Sequence, residues 1–332
     1  MPRMTPDEIR QLIADALIRS NTSKDNALSV AEALLAAELA GQSGHGLRRV
    51  ESYAAQSASG KVDGHAVPTF ERAAPSVLHV DAMHSFAYPA LDLVQQHLPD
   101  MAREQGIAIA GISRSHHCGV MGVVVEVYAK AGLVALMFAN TPAAMAPWGG
   151  SKAVFGTNPL AFAAPRAEGA PIVVDVSLSK VARGKIMAAK QKGDTIPKDW
   201  AFDAKGEPTS DPVAALSGTM APLGDAKGTA LALMVELLAA GLTGANFASE
   251  ASSFFDAEGA PPGVGQTIIA IDPHKLGGDA VLDRFVALAA MIEEQPGARV
   301  PGARRAQLRD TLAVDGIEIE ADLAATIEAI GR

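Results

Sequence analysis

The chain has one cysteine, Cys118, in 332 residues. No internal disulfide can form, and a reducing, cytoplasmic setting is the simplest expectation. Aromatic residues are scarce, at 5%, so the core must be built mainly from Ala, Leu and Val. Basic residues are in deficit, and the formal net charge of −9 provides no electrostatic footprint for nucleic acid or an anionic membrane. No apolar run reaches membrane-spanning length without interruption, and the opening "MPRMTPDEIRQ" has no signal-peptide core. A chain of this length and hydrophobic content (48%) can bury a real core and could hold two domains.

What is present alternates. "TPDEIRQLIADALIRSN" predicts a helix with Thr5 as N-cap, Pro6 in the first turn and Glu8 closing a capping box. Ile9, Leu12, Ile13, Ala16 and Leu17 share one of its faces. "SKDNALSVAEALLAAELAG" predicts a second helix. Strands are expected at "SVLHVDA", "GIAIAGIS", "LVALMFAN", "PIVVDVS" and "QTIIAIDP", with helices at "PALDLVQQHLPDMAREQ", "VVVEVYAKAG" and "DAVLDRFVALAAMIEEQ". "KGTALALMVELLAAGLTG" is apolar nearly all round, which suits a core or an oligomer interface. The Pro/Gly/Asp-rich stretch 193–223 reads as a long ordered loop system. The alternation indicates an α/β or α+β fold. Yet neither G-x-G-x-x-G after a strand nor G-x-x-x-x-G-K-[ST] occurs, so a dinucleotide would have to bind in another way.

Two clusters carry chemistry. "SRSHHCGVMG" sets His116, His117 and Cys118 side by side. Adjacent histidines point in different directions, no second cysteine exists, and the spacing fits no zinc pattern, so no metal is expected. A lone cysteine beside an apolar run is more often a small buried hydrophobe than a nucleophile. A pocket histidine and a structural turn histidine are left as alternatives. "SGHGLRRVESY" places His45, Arg49 and Tyr53 at i,i+4 steps; on a continuous helix they would share a face. A histidine can exchange a proton near neutral pH, an arginine fork matches a carboxylate, and a phenol adds a donor. A small-carboxylate site and a solvated basic helix start are both open readings.

"GHGLRRVESY", "SHHCG", "ANTPAAMAPWGGSKAVFGTNPLAFAAPR", "IVVDVSLSKVARGK", "PLGDAKGTALALMVELLAAGLTG", "IDPHK" and "VPGARR" occur in the order found in one family. The chain resembles the type-2 malate/L-lactate dehydrogenase family of NAD(P)-dependent oxidoreductases over nearly its whole length. Within that family, the histidine pair and the apolar helix with "ANF" resemble the Δ1-piperideine-2-carboxylate/Δ1-pyrroline-2-carboxylate reductases, which reduce cyclic imino acids. The alternative within the family is a 2-hydroxy-acid dehydrogenase of the malate, lactate, sulfolactate or ureidoglycolate type.

The resemblance implies an α+β fold with a non-Rossmann NAD(P)-binding domain, built on a largely antiparallel sheet (76–277). A helical domain would come from both chain ends, 1–75 with 278–332. It implies NADPH or NADH as cofactor and a homodimer. It also implies His45 as proton donor with His117 and Asp175 beside it, and Ser43, Arg49 and Tyr53 at the substrate. Cofactor contacts would fall on Asn140, Thr141, Asp175, Ser177, Ser179, Lys227, Gly228, Pro301, Gly302 and Arg304. Lys180, Arg183 and Arg304 are cationic candidates for an extra phosphate. Two differences stand out. Gly44 replaces the serine that usually precedes the histidine, and "CGVMG" follows the histidine pair where the imine reductases carry bulkier residues.

Overall fold

The structure, a computed structural model, describes residues 3–332. A short strand β1 (Arg3–Met4) precedes α1 (Pro6–Arg19) and α2 (Lys24–Leu39). The capping box is present: the Glu8 amide donates to Thr5 Oγ1 and the Thr5 amide to Glu8 Oε2. Ile9, Ile13 and Leu17 are fully buried, as are Val30 and Leu34 of α2. Burial of each such side chain contributes about 1.5–3 kcal/mol. Two 3-10 turns, Ser43–His45 and Leu47–Arg49, lead into α3 (Val50–Ser59).

The central elements follow as β2 (Thr69–Ala74), β3 (Val77–Asp81), α4 (Ala87–Gln105), β4 (Ile107–Ser115), α5 (Met121–Lys130), β5 (Val134–Ala139), β6 (Leu160–Ala164) and β7 (Ile172–Val176). The segment 177–263 contains α6 (Arg183–Lys192), β8 (Ala201–Phe202), α7 (Pro212–Ser217), β9 (Thr219–Met220) and α8 (Ala226–Glu236), which widens into a π-turn at Leu237–Gly241. The chain closes with β10 (Val264–Ile271), α9 (Pro273–Gly277), α10 (Val281–Glu293), α11 (Ala303–Asp315), β11 (Ile317–Glu318) and α12 (Ala321–Ala329).

Seven strands form one sheet in the order β2-β3-β4-β10-β5-β6-β7. Within this sheet β3 and β4 pair in parallel, joined through α4, and the remaining pairs of the sheet are antiparallel. Alternation along β5 divides the core. Ala135, Met137 and Ala139 join a cluster with α1–α5, while Phe138 joins a second cluster with α6, α7, α8 and the π-turn. The sheet is therefore covered on both faces. The two chain ends meet: β1 pairs with β11, and α11 and α12 pack on the N-terminal helices.

One expectation needs correction. The stretch 193–223 is not all loop, since it holds α7 and the β8–β9 pair. The apolar helix ends as an α-helix at Glu236; Ala232 and Val235 pack in the second core cluster, while Leu231, Leu233, Met234, Leu237 and Leu242 are exposed, which leaves the oligomer-interface alternative open. Among the described residues no helix is long and apolar enough to cross a membrane.

Candidate active site

The site begins where α2 ends. Gly46 lies against the Glu38 carboxylate so closely that a Cβ there would come within 2.3 Å of Oε1. The next amide, Leu47, donates to that same oxygen at 2.7 Å. This pair ties the His45 turn to α2. The chain breaks helix at Gly46, so His45, Arg49 and Tyr53 do not share one continuous helical face. Tertiary packing gathers them instead.

His117 is the hub. It sits in the turn between β4 and α5 and is almost wholly buried. Its Nε2 lies 3.3 Å from His45 Nδ1, with the two rings nearly parallel at 11°. Its Nδ1 lies 2.6 Å from the Tyr53 hydroxyl, which is itself 3.0 Å from the Tyr88 hydroxyl. His116 points elsewhere, as neighbouring residues in extended chain must. Its Nε2 meets Gln56 Oε1 at 2.7 Å, and the Gln56 amide donates to the Phe254 carbonyl at 2.9 Å. The buried Lys61 ammonium donates to the carbonyls of Ser253 and Asp256 and to the Asp256 carboxylate. Gln56 and Lys61 thus pin the 253–256 loop over the histidines, with the Phe254 ring against both.

Arg49 faces this cluster. Its Nε donates to the Gly44 carbonyl at 3.0 Å, and its guanidinium lies 4.7 Å from the centre of the Phe255 ring. Its Nη1 is buried with no partner among the described residues. A buried guanidinium nitrogen suits a carboxylate acceptor. Arg48, by contrast, pairs with Glu320 on the surface.

The charge state follows from burial. His45 is pushed down to about 4 by desolvation and then by Arg49, and His116 to about 3 by desolvation, Lys61 and Arg49. His117 is driven well down by the same burial and by Arg49. All three imidazoles are neutral at physiological pH. Burial raises Tyr53 to about 12. Burial, then Asp175, raises the Cys118 thiol to about 12, so it stays protonated and is no nucleophile.

Past His117, the first turn of α5 carries the site toward a cleft. The Gly122 amide donates to Asp175 Oδ2 at 2.9 Å, and Arg305 Nη1 lies 3.5 Å from the same oxygen. A cleft of about 570 Å³ opens beyond, lined by Gly41, Gln42, Arg299, Pro301, Gly302, Arg304 and Arg305. Arg304 and Arg305 at the start of α11, with Arg299 in the turn before it, suit a phosphate-bearing ligand.

The expected residues therefore divide. His45, Arg49, Tyr53 and His117 are brought together, with the exposed Ser43 in the His45 turn. Asp175 bonds neither histidine and belongs to the cleft side. Pro301, Gly302 and Arg304 line the cleft. Ser177 and Ser179 bond each other at 2.6 Å, and Thr141 Oγ1 accepts from the Thr157 amide.

Asn140 is fully engaged: it donates to Glu236 and the Asn246 carbonyl and accepts from the Gly265 amide, so its side chain is a brace. Gly228 packs so tightly on the Leu223 carbonyl that a Cβ would sit 1.9 Å away, while Lys227 is exposed beside it. Lys180 is paired with Asp199 and Arg183 is half-buried, which leaves Arg304 the more open of the cation candidates. Tyr88, Arg305 and Phe255 escaped the sequence reading.

The sequence profile described as malate/L-lactate dehydrogenase matches residues 4–328. A protein of Chromohalobacter salexigens named (2R)-3-sulfolactate dehydrogenase (NADP(+)) is 49% identical over 91% of this chain and 90% of its own. A Pseudomonas aeruginosa protein named Δ1-pyrroline-2-carboxylate/Δ1-piperideine-2-carboxylate reductase is 40% identical over 96% of each chain. The crystal structure of Δ1-piperideine-2-carboxylate reductase from Pseudomonas syringae superposes with a TM-score of 0.95 at 37% identity, covering 99% of this chain and 100% of that one.

Proposed function

The chain belongs to the malate/L-lactate dehydrogenase family, and we propose that it is an NAD(P)H-dependent reductase of a cyclic imino acid. The substrates are Δ1-pyrroline-2-carboxylate or Δ1-piperideine-2-carboxylate, and the products L-proline or L-pipecolate. The observation that carries this reading is Arg49: a buried, unmatched guanidinium nitrogen beside the neutral His45, under the Phe254–Phe255 loop. One guanidinium fork suits one carboxylate, and the aromatic loop suits ring methylenes, each worth about 0.8 kcal/mol when buried.

The nicotinamide supplies hydride transfer when bound. The residues present fit such a cofactor. The reading is supported by Arg299, Arg304 and Arg305 lining one cleft, and by Asp175, which accepts from the Gly122 amide next to the His117 turn and lies near Arg305. The mostly antiparallel sheet, with its single parallel pair, supports binding outside a Rossmann fold. Arg49 holds the substrate carboxylate. His45 Nε2, which bonds no described residue, gives its proton to the nitrogen double-bonded to C2. The 253–256 loop limits water.

The 49% identity to the sulfolactate-named protein favours a second reading, oxidation of a 2-hydroxy acid at the same Arg49–His45 pair. Steady-state kinetics with both cofactors decide between them. The first reading expects higher kcat/KM for the two cyclic imines than for pyruvate, oxaloacetate or 3-sulfopyruvate. The reverse order overturns it. The division into an NAD(P)-binding unit (76–277) and a helical unit (1–75 with 278–332) is part of the proposal, supported by the packing of both chain ends together. So is a homodimer, supported by the exposed face of Leu231, Leu233, Met234 and Leu237, with sedimentation as its test. A cytoplasmic setting fits the unpaired, buried Cys118.

A further inference from the structure

A neutral imidazole that gives up its only proton becomes an anion unless its other nitrogen is protonated at the same moment. His45 is neutral, so its second nitrogen matters as much as the one facing substrate. That nitrogen, Nδ1, touches His117 Nε2, and His117 Nδ1 touches the Tyr53 hydroxyl. The hydroxyl of Tyr53 meets one further group, the hydroxyl of Tyr88. Tyr53 is fully buried and Tyr88 almost so, and no other side chain among the described residues bonds either oxygen.

The line can be polarised in two ways. In the first, Tyr88 donates to Tyr53, Tyr53 to His117 Nδ1 and His117 Nε2 to His45 Nδ1, leaving His45 with its proton on Nε2. In the second every donor turns round, His45 carries its proton on Nδ1, and the Tyr88 hydroxyl has no acceptor. A buried donor without an acceptor is the costlier arrangement. The first polarity is therefore preferred, and it is the one that presents a proton to substrate.

We propose that Tyr53 is a positioning residue that supplies the relay Tyr53–His117–His45, and that Tyr88 is the residue that holds its oxygen. This rests on the reading of His45 as proton donor. When hydride reaches C2, the His45 Nε2–H bond breaks and an N–H bond forms on the substrate. At the same time the His117 Nε2 proton passes to His45 Nδ1, and the Tyr53 proton passes to His117 Nδ1. The Tyr53 oxygen then holds the charge between two donors, His117 Nδ1–H and Tyr88 O–H. A solvent proton entering at His45 Nε2 drives the same steps backward and restores the line.

This assigns Tyr53 away from the substrate, where the sequence reading put it. The ring is sealed in the core, and its hydroxyl is used by His117 and Tyr88. It also gives Tyr88, on α4, a part in the reaction.

The test combines spectroscopy with kinetics on the full-length protein. ¹⁵N-histidine labelling, with the His45 signals identified by their loss in His45→Gln, reads the tautomer directly. The expected result is a neutral His45 protonated on Nε2; protonation on Nδ1 overturns the proposal. Tyr53→Phe keeps the ring and should lower kcat for reduction by about ten-fold or more, with KM changed less than about two-fold. In wild type, rates in H₂O/D₂O mixtures should curve, showing more than one proton in flight, and in Tyr53→Phe become linear. Tyr88→Phe should lower kcat by a smaller factor and keep the curvature. A raised KM with unchanged kcat in Tyr53→Phe overturns the relay and returns Tyr53 to the substrate. Absence of turnover by wild type on any cyclic imine or 2-oxo acid would defeat the functional reading instead, while the tautomer measurement still judges the relay.

Discussion

The Gly122 amide and the Asp175 carboxylate are bonded at 2.9 Å, and a side chain at the first of these positions would have to push Arg305 aside. A Cβ on residue 122 would lie 2.1 Å from Arg305 Nη1 and 2.9 Å from Asp175 Oδ2. The contact joins the α5 end of the histidine site to the arginine-lined cleft. It also gives a reason for glycine as the second residue of α5.

Gly122→Ala should therefore not stabilise the protein, although alanine is the better helix former. It should displace Arg305 and weaken NADPH binding about ten-fold or more, by roughly the 1.4 kcal/mol of one charge-assisted contact. Fluorescence titration of NADPH checks this. Wild-type affinity together with a raised Tm would show that Asp175 and Arg305 do not form part of the cofactor site.

Arg49→Lys should raise substrate KM strongly, by about ten-fold or more, with a smaller effect on NADPH affinity. Lysine keeps the charge but loses the fork, the Nε bond to the Gly44 carbonyl and the flat face against Phe255. Unchanged KM would remove Arg49 from carboxylate recognition.

Cys118 should resist iodoacetamide in the native protein and react only on unfolding. Its side chain is buried and its thiol is pushed up to about 12, so thiolate is negligible at pH 7.5. Mass spectrometry with and without denaturant measures it. Rapid native alkylation with loss of activity would mean that the turn opens readily.

These sites differ in how far the sequence betrays them. The α1 capping box is local, three residues apart, and is read directly from Thr5 and Glu8. His45, Arg49 and His117 stand out through residue type and resemblance. The geometry that joins them was illegible, because Gly46 breaks the helix on which an i,i+4 argument depends. Tyr88 lies 35 residues from Tyr53 on another helix, and only the packing of α3 on the rest of the core brings the hydroxyls together. A weak signal existed: the chain has only three tyrosines, and two of them meet. Arg304 was read from the "PGARR" motif, but its neighbour Arg305 reaches Asp175, a matter of one step around the first turn of α11. The Asn140 brace depends on Glu236, far away in sequence and itself buried. Polar residue types suggest sites, and only partners show which of them are already spent on holding the fold.

Stability should fall as pH drops below about 6.5, and His116 should account for a definable share of the loss. A histidine pKa lowered by folding means that, below 6.5, the unfolded chain binds more protons than the native one. Its contribution is full above 6.5 and is lost as pH falls toward the folded value. His45 at about 4, His116 at about 3 and His117 well below the ordinary value all act in this direction, and His84 adds to them. One pH unit below 6.5, His45 and His116 each cost about 1.4 kcal/mol.

Glu38, Asp92, Asp175 and Glu236 are shifted upward by burial and act oppositely, gaining native-state protons as pH falls. Tm should drop clearly from pH 7.5 to 5.5. In His116→Gln, Tm should be lower throughout, because the Gln56 contact and the ring packing are lost, yet the drop between those pH values should shrink. Parallel Tm curves for the two proteins would show that His116 is protonated in the native state and that its pairing with Gln56 does not hold it neutral.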